Sequence, residues 1–112
     1  MTEPLPHNAA ATLRALLTGT DPVSAALRAQ IPYTRVTGSC GCGCVTVDLD
    51  VDRAQAPPAP AHDNPAADAW YAVPDDAGVL VFTADGYLAS LEIYSTADEP
   101  ITDWPEPHFA QR

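Results

Sequence analysis

The chain has 112 residues, a length that suits one domain with one hydrophobic core and needs no disulfide or metal staple. Fifteen acidic residues against five basic ones, all arginine and none clustered, set a net charge of −10. That balance disfavours nucleic acid and anionic membrane surfaces as partners; a basic protein or a cation is what this field would attract, and the plainer, weightier reading is that surplus acid simply keeps a small protein in solution.

No apolar run approaches the ~18 residues of a membrane helix. The first eight residues lack the positive and apolar regions of a signal peptide. The three cysteines sit within five residues, too close together to staple a fold. These features point to a reducing, cytoplasmic setting.

Residues 1–8, with Pro4 and Pro6, read as a loose lead-in. Asn8 is placed to cap a helix from Ala9 to Thr18, with Ala9, Leu13, Leu16 and Leu17 as its inward stripe and Gly19 as a left-handed stop. Asp21-Pro22 starts a second helix that runs to about Gln30, with Val23, Ala26 and Leu27 inward and Pro32 ending it. Two short helices so joined predict a helical hairpin.

Tyr33 to Thr37 is a first strand. Val45 to Asp52 is a second, with complete alternation: Val45, Val47, Leu49 and Val51 on one face, Thr46, Asp48, Asp50 and Asp52 on the other. That is a half-buried antiparallel strand with one wet side. Residues 53–68, with Pro57, Pro58, Pro60 and Pro65, predict a long surface loop crossing an end of the sheet. Ala69 to Val73 is a strand, and Asp75-Asp76-Ala77-Gly78 is a turn with glycine at the positive-φ position. Val79 to Thr83 and Tyr87 to Ser95 form a hairpin about Asp85-Gly86. The aromatics Trp70, Tyr71, Tyr87 and Tyr94 belong to the core or to cross-strand pairs. Residues 96–112 are an irregular Pro-rich tail that Ile101, Trp104 and Phe109 could tie down.

The chemically concentrated stretch is Cys40-Gly41-Cys42-Gly43-Cys44, a glycine-spaced turn between the first two strands. Three readings stay open. It can be a tight structural turn with small buried thiols. It can be a soft-metal site for zinc or monovalent copper. It can be a redox pair, although the acidic surroundings raise thiol pKa and oppose that. Structural zinc needs four ligands, so Cys40, Cys42 and Cys44 would need His62, His108 or Asp48 to complete the set, whereas three thiolates suit trigonal copper. Asp48, Asp50 and Asp52 form a carboxylate row whose members lie roughly 6.5–7 Å apart, too far to chelate one ion unaided. His62-Asp63 could orient an imidazole beside a thiol, though such a pair in a Pro-rich loop is ordinarily just exposed. No G-x-S-x-G, phosphate-binding glycine loop or H-E-x-x-H motif is present.

Taken together, Ala25-Ala26-Leu27-Arg28-Ala29-Gln30, Cys40-Gly41-Cys42-Gly43-Cys44-Val45-Thr46-Val47 and Asp85-Gly86-Tyr87-Leu88-Ala89-Ser90-Leu91-Glu92-Ile93-Tyr94 resemble a group of small bacterial proteins of no known activity. The segment Glu99-Pro100-Ile101-Thr102-Asp103-Trp104-Pro105 fits the same group. The likeness covers most of the chain outside residues 53–68. It implies that the tail belongs to the fold and carries over no functional residue.

The sequence thus predicts a single α+β domain over residues 1–112. An N-terminal helical hairpin packs on one face of an antiparallel sheet of about five strands, which ends in a three-stranded meander. The other sheet face is partly wet and acidic. The first functional expectation is a non-catalytic protein-interaction module that presents Asp48, Asp50 and Asp52, or the Pro-rich loop, to a protein partner. The alternative is a thiolate metal-binding or metal-sensing protein using Cys40, Cys42 and Cys44 with His62 or His108. An enzyme ranks third, because no nucleophile, base and oxyanion set can be assembled.

Overall fold

A computed structural model of the chain describes residues 3–39, 45–96 and 101–110. The fold is α+β. Helices α1 (His7–Leu16) and α2 (Pro22–Gln30) pack against a six-stranded antiparallel sheet. Strands β1 (Glu3–Pro4), β2 (Thr34–Ser39), β3 (Val47–Val51), β4 (Ala67–Trp70), β5 (Ala77–Ala84) and β6 (Tyr87–Ser95) stand in the order β1-β2-β3-β6-β5-β4. The helical hairpin and the C-terminal meander are as expected, but the sheet exceeds the expected five strands. The additional strand is β1, whose Glu3 and Pro4 oppose Val36 and Arg35. Two residues carry no periodicity to read, and proline is tolerated on an edge strand.

The start of α1 also departs from expectation. Pro6 precedes the helix and Asn8 lies inside its first turn, so Asn8 is not the cap. Its amide instead donates to the Trp104 carbonyl at 3.0 Å. Ala9, Leu13 and Leu17 are buried as the stripe requires. Gly19 is not a left-handed stop: among the described glycines only Gly86 has positive φ. The carbonyls of Leu17 and Gly19 instead accept from the Arg28 guanidinium, which clips the turn between the helices. Asp21 does cap α2, accepting from the Ser24 N–H at 3.0 Å, and that hydrogen bond holds its carboxyl below the ordinary value.

Alternation builds the core. Thr34 and Val36 of β2 and Val47, Leu49 and Val51 of β3 point inward, as do Val79 and Val81 of β5 and Leu91 and Ile93 of β6. The apolar ones among them join Leu13, Leu17 and Leu27 of the helices and Trp104 of the tail in one cluster. Burying each such side chain stabilises the fold by roughly 1.5–3 kcal/mol.

Strand β3 is shorter than the predicted 45–52 because Val45 and Thr46 leave the ladder. The Val45 N–H donates to the Ile101 carbonyl at 2.9 Å. The Thr46 hydroxyl accepts from the Ile93 N–H at 3.0 Å and donates to the Ile93 carbonyl at 3.2 Å, so a side chain replaces the backbone partner.

Asp85 (φ 55°) and Gly86 (φ 85°) make the expected two-residue hairpin turn between β5 and β6. The 75–78 turn is corrected. Ala77 and Gly78 belong to β5, and Gly78 is there because a Cβ would overlap the Tyr94 ring. Strand β4 likewise runs Ala67–Trp70 rather than 69–73.

Residues 53–66 cross the sheet end at the Asp85-Gly86 turn, and the segment is pinned. Ala56 and Ala59 are buried, the Ala59 N–H donates to Gly86 at 2.8 Å, and the Tyr87 hydroxyl donates to the Ala56 carbonyl at 3.2 Å. The tail is held too. Phe109 pairs with Tyr71, and the Ala110 and Ala72 N–H groups donate to Trp70 and His108, each at 2.8 Å.

Candidate functional site

The expected metal ligands Cys40, Cys42 and Cys44 lie outside the described residues. Their covalent neighbours Ser39 and Val45 border a cavity of about 560 Å³ with Val47, Trp104 and His7. The volume is in the range of small-molecule sites. His7 is the histidine that shares this cavity, at the first position of α1.

His62 and His108 are elsewhere. Both ring nitrogens of His62 are engaged: Nδ1 donates to the Pro60 carbonyl at 2.6 Å, since a carbonyl only accepts, and Nε2 meets the Thr83 hydroxyl at 2.7 Å. Asn64 fixes the same threonine, its Oδ1 accepting from the Thr83 N–H at 2.9 Å. This places His62 at the sheet end that carries the Asp85-Gly86 turn. Val45, bonded to Ile101 and adjacent to the Thr46–Ile93 contact, marks the opposite end. His108 shares Val45's end of the sheet but sits beside Ala72, past the β4 edge. Strands β6, β5 and β4 separate it from β3, which makes about 19 Å at the usual strand spacing. Among the described residues no group of three His, Cys, Asp or Glu side chains is placed to hold a metal ion.

Asp48 and Asp50 are exposed on the outward face of β3, and Asp52 is exposed just beyond it. Asp50 faces Arg35 in register, and Asp48 lies beside Gly38, where a Cβ would come within 2.9 Å of its carboxylate. Asp52 accepts from the Ala54 N–H at 3.1 Å and so also shapes the turn after β3.

The strand registers extend this face across the sheet. Asp48 opposes Ser90, which opposes Phe82. Glu92 opposes Leu80, which opposes Asp68. Tyr94 opposes Gly78, which opposes Trp70. The outward surface therefore changes character from carboxylates over β3 to aromatic and aliphatic groups over β5 and β4. Leu80, Phe82 and Trp70 are half-buried, and Tyr94 is 43% exposed. The Trp70 and Tyr94 rings meet edge to face, with centroids 5.7 Å apart, and the Trp70 indole N–H donates to the Asp75 carbonyl at 2.8 Å.

One group of interest carries no signal in the sequence: His7 lies ahead of the first apolar stripe, and nothing in its neighbourhood points to a cavity. Tyr94 forms the expected cross-strand aromatic pair, with Trp70, and strand alternation puts it on the outward side with Ser90 and Glu92, so its exposure is legible in the sequence. Comparison with protein-family models, curated proteins and solved structures finds no match to the chain.

Proposed function

We propose that the chain is a non-catalytic protein-interaction module of the cytoplasm. It docks a basic protein partner on the outward face of its sheet, with Asp48, Asp50 and Asp52 as partner-facing charges. The supporting observation is the one-sided burial. Helices and tail share a single core with the inward face, while the outward carboxylates of β3 stay exposed. The Pro-rich segment is the weaker candidate surface, because buried alanines and the Gly86 and Tyr87 hydrogen bonds hold it down. A net charge of −10 favours a basic protein over nucleic acid or an anionic membrane, and no helix among the described residues is long and apolar enough to cross a membrane.

The test starts from a partner recovered on immobilised protein and measures its affinity for the purified chain. Affinity is expected to fall as salt rises, and to fall in the combined Asp48→Asn, Asp50→Asn and Asp52→Asn variant. A partner indifferent to both sinks the reading.

A second reading is favoured by the cavity. Ser39 and Val45, which bracket the cysteine segment, border it together with His7. A thiolate site for zinc or monovalent copper would then use Cys40, Cys42 and Cys44 with His7 in preference to His62 or His108. On this reading added metal raises the melting temperature under reducing conditions, unchanged in His62→Ala and lost in Cys42→Ser. Metal-free protein that shows no shift with either ion removes it.

A further inference from the structure

Within the chain, a cation, an aromatic ring and a carboxylate already form a set. The Arg53 guanidinium stands 4.5 Å over the Tyr87 ring centroid and 3.7 Å from the Asp85 carboxylate. An aromatic face attracts a cation through its quadrupole, and a neighbouring carboxylate adds hydrogen-bond acceptors for the same group.

Tyr94 and Glu92 repeat two-thirds of that set on the outward face. They are two residues apart on β6, so both project on one side, roughly 7 Å apart. Tyr94 leans across Gly78, which is buried beneath it, and abuts Trp70. Its remaining surface is open, at 43% exposure. Among the described residues the cation recorded over a ring is Arg53, on Tyr87 and beside Asp85, and Arg28 is committed to Leu17 and Gly19. The ring is held in place by its neighbours, so a cation docking on it orders little that is not already ordered.

We infer that Tyr94 and Glu92 form an anchor for an arginine side chain of a basic protein segment lying across the outward face. Arginine fits better than lysine, because its planar guanidinium stacks on a ring while its edge donates to a carboxylate. The row of Asp48 and Asp50 on the same face supplies the complementary field for further basic groups of the segment. This inference rests on the outward face being the docking surface.

The experiment titrates the full chain, labelled with nitrogen-15, with a short Gly-Arg repeat peptide and with its lysine and citrulline counterparts. The arginine peptide is expected to give its largest amide shifts at Gly78, Glu92 and Tyr94. Binding should rank arginine above lysine above the uncharged citrulline. Tyr94→Leu should weaken it about two- to fivefold, as expected for an exposed cation–aromatic contact, and Tyr94→Phe should leave it nearly unchanged. Glu92→Gln, which keeps the packing, should also weaken it. Shifts confined to β3 and indifferent to Tyr94→Leu and Glu92→Gln overturn the anchor and leave the docking face standing. Shifts absent from the whole outward face overturn both. Concentration-dependent shifts at Tyr94 without peptide make a second copy of the chain the occupant and likewise overturn the anchor.

Discussion

Gln30 is fully buried, and its side chain ties three parts of the chain together. Its Nε2 donates to the Gly86 carbonyl at 2.9 Å and the Pro57 carbonyl at 3.2 Å, and its Oε1 accepts from the Leu88 N–H at 3.0 Å. Helix α2, the Pro-rich segment and the β5–β6 turn therefore meet at one amide. Gln30→Leu keeps the volume but strands a buried N–H, and should cost about 2–3 kcal/mol in chemical denaturation. A loss below about 0.5 kcal/mol would show that the backbone re-pairs without it. Tyr71 is the opposite case: its ring is fully buried and its hydroxyl has no hydrogen-bond partner. Burial pushes its phenol up, and the Thr12 hydroxyl donates to the Asn8 carbonyl at 2.7 Å instead. The folded state thus holds the proton more tightly than the unfolded chain. That stability is present below the ordinary tyrosine value near 10 and is lost as pH climbs from there through the raised folded value. Tyr71→Phe should leave stability at neutral pH equal or slightly higher, and should flatten the alkaline decline seen in melting scans.

At the scale of elements, the tail works as a strap. The Val45 N–H donates to Ile101, the Asn8 amide donates to Trp104, and Tyr71 pairs with Phe109. Trp104 is buried at 7% exposure, so Trp104→Ala should destabilise by about 3–5 kcal/mol, whereas Asn8→Ala, losing one hydrogen bond, should cost about 1 kcal/mol. Equal losses from the two would mean that the hydrogen bond, not the indole, secures the tail. The β5–β6 turn allows a second check. A Cβ on Gly86 would approach the Ala59 carbonyl to 2.8 Å at a φ of 85°, so Gly86→Ala should cost about 1–3 kcal/mol. Such local devices were unevenly readable. The Asp21-Pro22 cap, the Asp85-Gly86 turn and the alternation of β3 follow from short-range rules and were legible. Gly78 differs from the expected turn because a glycine that makes room for a cross-strand tyrosine looks, in sequence, like one that makes a turn. Strand β1 and the Asn8–Trp104 contact depend on residues far apart in the chain, and no local pattern carries them. Of the candidate site, the carboxylate row was readable from alternation, while His7 beside the cavity was not.

For the whole molecule, charge sets the next expectation. A net charge of −10 on a chain of 112 residues repels itself in the compact state. Raising salt from low to physiological levels should therefore raise the melting temperature before any specific ion effect enters. A melting temperature that falls over that range would mean that attractive pairs such as Arg53–Asp85 outweigh the repulsion, which an exposed pair ordinarily does not do.

The two ends of the described chain finish on opposite margins of the sheet. Glu3 and Pro4 lie along β2, and Phe109 and Ala110 lie along the Trp70–Tyr71 stretch that continues β4. These two segments serve as selvedge, the woven border that keeps a cloth from fraying. Stripping either one bares backbone donors and acceptors while the interior stays packed. Protein from which either segment is released at an engineered protease site should consequently fail by sticking edge to edge before it fails by melting, and light scattering at room temperature would reveal that order of events.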